Sequence, residues 1–188
     1  MREKISRSIK ESIRVKNSLL KTQLPAISSL AGMMSSAIKS GNKILIFGNG
    51  GSASDSMHIA AELVGRFRKE RRALPAVALT ENISAITAIS NDYDFEHIFE
   101  RQVEALGRRG DMALGISTSG KSKNVIRGIL QAKKMGMKTA VLTGKSRGML
   151  SDIADIAVRV PSNSTPRIQE AHITIGHIVC EIVEDELQ

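Results

Sequence analysis

Four histidines occur in the chain, and three of them stand beside side chains able to share a metal ion or a proton. His58 and Glu62 are four positions apart in a stretch that also holds Asp55. On a helix this spacing puts both on one face, separated by about 6 Å of rise, within joint reach of one metal ion or one substrate. Asp55, a turn earlier, is placed to orient His58 from behind. A solvated face with a favourable His–Glu pair is the ordinary meaning of such spacing. Here the face begins at the mouth of a glycine-rich loop, which favours a site. The second group, Gln169, His172 and His177, lies among Ile173, Ile175, Ile178, Val179, Ile182 and Val183. His177 lies in the most apolar part of this run, where an imidazole is ordinarily a core residue. Facing a cleft instead, desolvation and a nearby carboxylate would tune it for proton transfer near neutrality. Cys180, the single cysteine, belongs to the same run and reads as buried and inert. No Ser–His–Asp or Cys–His arrangement accompanies these residues.

Two glycine-rich loops bear on what could bind. Gly48-Asn49-Gly50-Gly51-Ser52-Ala53 fits the dinucleotide fingerprint in its G-x-G-x-x-A form, with Glu81 in place for a ribose. A glycine turn ahead of a helix serves any ligand that must approach the backbone closely, so this signal is weak by itself. Gly115-Ile116-Ser117-Thr118-Ser119-Gly120-Lys121-Ser122 satisfies the P-loop pattern letter by letter. A P-loop enzyme also needs a carboxylate at the end of another strand to hold magnesium. Neither Thr139–Leu142 nor Ile156–Val160 ends in one. The hydroxyls of Ser117, Thr118, Ser119 and Ser122 suit a monophosphate held at a helix start.

The elements that must position these residues follow from periodicity. Ile5, Ile9, Ile13 and Leu20 form an apolar helical stripe, and Pro25 opens a second helix over Ala26–Lys39. From Lys43 onward short apolar runs alternate with helical stretches. The runs are Lys43–Phe47, Ala76–Leu79, Met112–Ile116, Thr139–Leu142 and Ile156–Val160. Between and after them, helices are predicted from about Ser54, over Ile83–Ala88 and Asp94–Leu106, from Ser122, and over Arg167–Glu186. Continuous apolar strands joined by crossover helices give an α/β fold, a doubly wound five-stranded parallel sheet of the flavodoxin-like kind. Residues 1–40 form an N-terminal helical extension and residues 41–188 the domain proper. Ligands then sit beyond the strands' C-terminal ends, at the loops after Phe47, Leu79, Ile116 and Leu142.

Bulk properties narrow the classes. Hydrophobic residues make up 41%, enough for a packed core. No apolar run reaches the roughly 18 to 20 residues of a membrane span, and the basic Met1–Lys10 lacks the apolar block of a signal peptide. One cysteine excludes an internal disulfide framework and suits a reducing, cytoplasmic setting. The formal charge of +8 attracts anions. With 3% aromatics and no tryptophan there is no base-stacking platform, so nucleic acid is not the expected partner.

Taken together, Gly48-Asn49-Gly50-Gly51-Ser52, Asp55, His58, Glu62, Gly65-Arg66, Asn91-Asp92, Gly115–Gly120 and Arg167-Ile168-Gln169-Glu170 resemble the phosphoheptose isomerases of the sugar isomerase (SIS) domain class over nearly the whole chain. The resemblance implies an aldose–ketose isomerase that converts sedoheptulose 7-phosphate to D-glycero-D-manno-heptose 7-phosphate. It implies Asn49, Gly50, Gly51, Ser52, Asn91 and Asp92 around the sugar, and Ser117, Thr118, Ser119 and Ser122 around the phosphate. It further implies a zinc ion on His58, Glu62, Gln169 and His177. Glu62, Gln169 and Arg66 would also touch substrate, and Glu62 and His177 would be the acid–base pair. A homotetramer with interface active sites is implied, built partly by the N-terminal helices. Gln169 and His177 are about 12 Å of helix rise apart, so sharing a metal requires long converging reaches, an irregular helix start, or donation by different subunits. The rival reading is a related non-enzymatic SIS adaptor that binds the bacterial replication initiator protein. The presence of both Glu62 and His177 favours the enzyme.

Overall fold

Each continuous apolar run becomes a parallel strand. The computed structural model describes residues 1–146 and 148–187. Its strands are β1 (Ile44–Gly48), β2 (Ala76–Ala78), β3 (Met112–Ser117), β4 (Lys138–Thr143) and β5 (Ile156–Arg159). They form one all-parallel sheet in the order β2-β1-β3-β4-β5, with Ile46 opposite Leu114 and Leu114 opposite Ala140. The order reverses between β1 and β3, which is where a doubly wound sheet opens a crevice at its C-terminal edge.

Side chains alternate across the sheet and feed two apolar layers. Ile44, Ile46, Met112, Leu114, Ile116, Leu142 and Val158 face the layer covered by α2 (Leu24–Lys39), α3 (Gly51–Val64) and α8 (Thr165–Glu186). Leu45, Phe47, Ala113 and Val141 face the layer covered by α5 (Ile98–Leu106), α6 (Lys123–Lys134) and α7 (Met149–Ile153). The predicted architecture is the observed one, including the helical N-terminus. Of the three interior strands, β1 and β3 are buried at every residue and β4 at all but Lys138, as covering on both faces requires.

The two N-terminal helices differ in how they are used. Ile27, Leu30, Met34 and Ile38 of α2 are buried in the sheet's own core. In contrast α1 (Arg2–Thr22) contributes only Val15 and Leu19, while Ile5, Ile9 and Ile13 remain 53 to 55% exposed. The helices part at Gln23, two residues before Pro25, and Gln23 Oε1 accepts the Arg159 N–H at 2.9 Å, fastening the junction to β5. The predicted Asp94–Leu106 helix begins as a 3-10 turn over Phe95–His97, because the Asp94 carboxylate caps the Glu96 N–H at 2.7 Å. Helix α4 runs on from Ile83 to Asp92, four residues past its predicted end at Ala88, and α7 is too short for a periodic signal.

Helices α3 and α8 lie side by side and run the same way. Gly51 faces Gln169, Ile59 faces Gly176, and the chain just after α3 meets Glu184. Their approach depends on Gly176, where a Cβ would come within 2.8 Å of the Ile59 side chain. This pairing brings the two chemically distinctive segments of the sequence together.

Candidate active site

Helix α3 starts directly beyond β1, three residues earlier than predicted, so Asn49 and Gly50 are the whole loop. Gly50 makes the turn at φ +56°, in the region that favours glycine. Of the six residues implied around a sugar, four lie here: Gly50 and Gly51 present exposed backbone, whereas Ser52 is buried. Asn49 is half-buried. Its amide pairs reciprocally with that of Asn124 at the start of α6, at 2.9 and 2.8 Å. The buried Asn124 also accepts the Val125 N–H at 2.9 Å. Sequence reading passed over Asn124, for an asparagine beside a serine-rich loop carries no spacing signal. It locks the β1 and β3 loops together at the point where the strand order reverses.

One turn and then two along α3, Asp55 and Glu62 flank His58. His58 Nε2 lies 3.1 Å from Glu62 Oε1 and 3.2 Å from His177 Nε2 across on α8. The ligand atoms of His58, Glu62 and His177 all fall within 4.8 Å of one another. His58 Nε2 can carry one hydrogen at most, so it cannot donate to both neighbours. Three lone-pair atoms converging this way suit a divalent cation. Tetrahedral zinc with bonds near 2.1 Å holds its ligand atoms about 3.4 Å apart, close to the two spacings seen. The donor set therefore fits zinc, from chemistry and spacing alike. The Phe67 ring stacks on His177 at 5.6 Å between centroids.

Gln169, the fourth implied ligand, is placed elsewhere. Its amide rests against Gly51 at the first turn of α3, and it makes no hydrogen bond to the His–Glu–His group among the described residues. Helix α8 is regular from Thr165 onward, so an irregular start does not bring the two ends of Gln169–His177 together.

The third strand's loop gathers hydroxyls as expected. Ser117 Oγ lies 2.9 Å from Ser122 Oγ and 3.5 Å from Ser119 Oγ, and Ser119 Oγ accepts the Lys121 N–H at 3.2 Å. Ser122 is the N-cap of α6, so these groups stand at the positive end of a twelve-residue helix. A cleft of about 280 Å³ opens beside Thr118 and Ser119, walled by Lys121, Lys145, Ser162 and Thr165. The larger hollows, about 890 and 680 Å³, run along the protruding α1 and gather no converging chemistry. Asn91 and Asp92 end α4 exposed and bonded to each other at 3.0 Å, and Arg66 is exposed beside Glu70 at 3.9 Å. Neither joins the cluster within one chain.

Comparison with known proteins decides the family. The SIS domain profile matches residues 9–144. The phosphoheptose isomerase of Aquifex aeolicus is 54% identical over 98% of this chain and 97% of its own. That of Geobacter metallireducens is 51% identical over 100% and 99%. The phosphoheptose isomerase structure from Neisseria gonorrhoeae superposes with a TM-score of 0.93 at 41% identity, covering 98% of each chain. The chain belongs to the phosphoheptose isomerase family. It is a sugar-phosphate isomerase.

Within this phosphoheptose isomerase fold the two histidines of α8 have opposite tasks. His172, fully buried, donates Nε2–H to the Thr143 carbonyl at 3.2 Å and is pushed down to about 4 by burial. The core role that the apolar run suggests for His177 belongs instead to His172. His177, one and a half turns on, is only partly buried and joins the cluster. Asp55 is pushed up to about 6 by burial, against the pull of His58, and its Oδ2 is buried without a hydrogen bond among the described residues. Burial likewise pushes the Cys180 thiol up to about 12, so it stays protonated and inert.

Proposed function

We propose that this isomerase interconverts sedoheptulose 7-phosphate and D-glycero-D-manno-heptose 7-phosphate, the first step of nucleotide-activated heptose synthesis. The observation that carries the reading is the meeting of Glu62 and His177, from two helices far apart in sequence, around His58. A ketose becomes an aldose when a C1 proton is removed, an enediol forms, and a proton returns at C2, with no net oxidation. A carboxylate and an imidazole side by side supply the base and the acid for those transfers. Ser117, Thr118, Ser119 and Ser122, at the α6 N-terminus, anchor the phosphate and so fix which carbons reach Glu62. Gly50 and Gly51 let the sugar lie against the backbone. His58, Glu62 and His177 would hold the zinc ion, which when bound polarises a carbonyl oxygen. Gln169, seated at Gly51, faces the sugar, and would reach a metal by a long converging reach of its side chain or as a donation across a subunit boundary.

A homotetramer follows from the same reading. The Ile5, Ile9 and Ile13 stripe is an apolar face on a helix that buries only Val15 and Leu19 against the body. Its burial against neighbouring copies also completes the sites with Arg66, Asn91 and Asp92, which stand exposed in one chain. Among the described residues no helix is long and apolar enough to cross a membrane, and we place the enzyme in the cytoplasm. The adaptor reading loses ground to isomerase relatives that are 51 to 54% identical over nearly the full length. Purified protein should convert sedoheptulose 7-phosphate to the aldose, followed by NMR of the anomeric protons, with and without a chelator. Absence of product in both conditions would overturn the assignment.

A further inference from the structure

Between α3 and β2 the chain reads Gly65-Arg66-Phe67-Arg68-Lys69-Glu70-Arg71-Arg72, rich in cations and without regular structure. Such a run is ordinarily a solvated loop. Here it is folded around a buried carboxylate. Glu184 of α8, 1% exposed, accepts the backbone N–H groups of Phe67, Arg68 and Lys69 at 3.0, 2.8 and 2.9 Å. Three successive N–H groups turned on one anion form the kind of concavity that elsewhere binds phosphate, filled in this case from within the chain. The buried Arg71 side chain brings Nε to 3.2 Å from Glu184 Oε1, an ion pair whose angle falls short of a hydrogen bond. Its terminal nitrogens donate to the carbonyls of Glu62, Leu63, Gly65 and Arg72 at 2.8 to 3.1 Å. The first three are carbonyls left open at the end of α3, the helix that carries Glu62.

The fold of this loop decides where Phe67 sits. Its ring lies on the His177 imidazole, tilted by 30°. A histidine that shares a cation usually has its other ring nitrogen held by a carboxylate or carbonyl, which fixes the ring's rotation. His177 Nδ1 has no such acceptor among the described residues, and Nε2 alone is engaged, with His58. Something else must set the ring. We propose that Phe67 is the positioning residue for His177, and that Glu184 and Arg71 form the clasp that holds Phe67 in place. The stacked face replaces the missing hydrogen bond, and the same clasp caps α3 so that Glu62 stays opposite. This rests on the functional reading above, and the test separates the two.

Phe67→Leu keeps apolar bulk and loses the flat face; Phe67→Tyr keeps both. Zinc alone is titrated into each chelator-stripped protein by calorimetry, and turnover of sedoheptulose 7-phosphate is measured in parallel. Phe67→Leu should bind zinc about 10-fold more weakly and lose about 10- to 100-fold in kcat with KM within about twofold. Phe67→Tyr should match the parent. Glu184→Gln, which keeps the shape and removes the charge, should weaken zinc similarly and expose the 65–72 loop to trypsin while the rest stays folded. Equal zinc affinity and kcat in Phe67→Leu and the parent overturns the positioning role, even if Glu184→Gln fails to fold. Equal losses in Phe67→Leu and Phe67→Tyr overturn it too, since ring stacking would not be the cause. A parent that binds zinc but turns over no sugar phosphate overturns the functional reading, while the zinc titrations still decide the role of Phe67.

Discussion

Acid should loosen α8 through His172, by an amount the structure sets. The ring is fully buried, bonded once to the Thr143 carbonyl, and its Nδ1 has no partner among the described residues. Protonation would place a second N–H in that apolar setting, which is why burial pushes the group from 6.5 to about 4. A histidine lowered in the folded state binds its proton more readily when unfolded. The stability it contributes is therefore complete above about pH 6.5, falls as the pH drops, and is fully lost near pH 4. At about 1.4 kcal/mol per pH unit the loss between pH 7.5 and 4.5 is about 2 to 3 kcal/mol. Asp55 works in the opposite direction. Its raised value penalises the folded state above about pH 6, and that penalty is relieved as the pH falls toward 3.8. Comparing the parent with His172→Gln, whose amide can still donate to Thr143, cancels Asp55 and every other shared group. Urea unfolding at fixed protein concentration, in chelator, should show the parent losing about 2 to 3 kcal/mol more than His172→Gln from pH 7.5 to 4.5. That is a relative midpoint shift of about 1 M or more. A difference that stays constant within about 0.5 kcal/mol across this range would refute the reasoning.

Other consequences are quicker to check. Asn124→Ala removes the reciprocal amide pair and orphans Asn49 and the Val125 N–H. It should cost about 1 to 3 kcal/mol in thermal or urea unfolding and raise KM for the sugar phosphate more than it lowers kcat. Ser117→Ala and Ser122→Ala should each weaken competitive inhibition by inorganic phosphate several-fold, read from initial rates, with little change in stability. Gly176→Ala places a Cβ within 2.8 Å of Ile59. It should cost about 1 to 3 kcal/mol in unfolding and lower zinc affinity by calorimetry, because it parts His177 from His58.

Much of this was legible in the residues. Continuous apolar runs at Ile44, Met112 and Thr139 could be nothing but buried parallel strands, and two glycine-rich turns marked the edge where ligands gather. Spacing alone put His58 and Glu62 on one face. What the sequence withheld was contact between distant segments. That His177 rather than His172 reaches the site depends on how α8 is rotated against α3, and Gly176 sets that rotation through a close approach invisible in one dimension. The resemblance implies Asn49 beside the sugar, and nothing local shows that its amide also pairs with Asn124, 75 positions on. A basic run such as the one after α3 ordinarily reads as solvated, and nothing local announces that Glu184, more than 100 residues away, fills it. The break at Gln23 and the early start of α3 reflect a tertiary tie and a tight turn, which override periodicity at helix ends.

The decisive measurement is turnover by Glu62→Gln and by His177→Ala, each shown by circular dichroism to keep the parent's fold. If these two groups share the proton transfers, each variant should form the aldose phosphate at least about 100-fold more slowly than the parent at saturating substrate. Product formed at the parent's rate by either one would contradict the account.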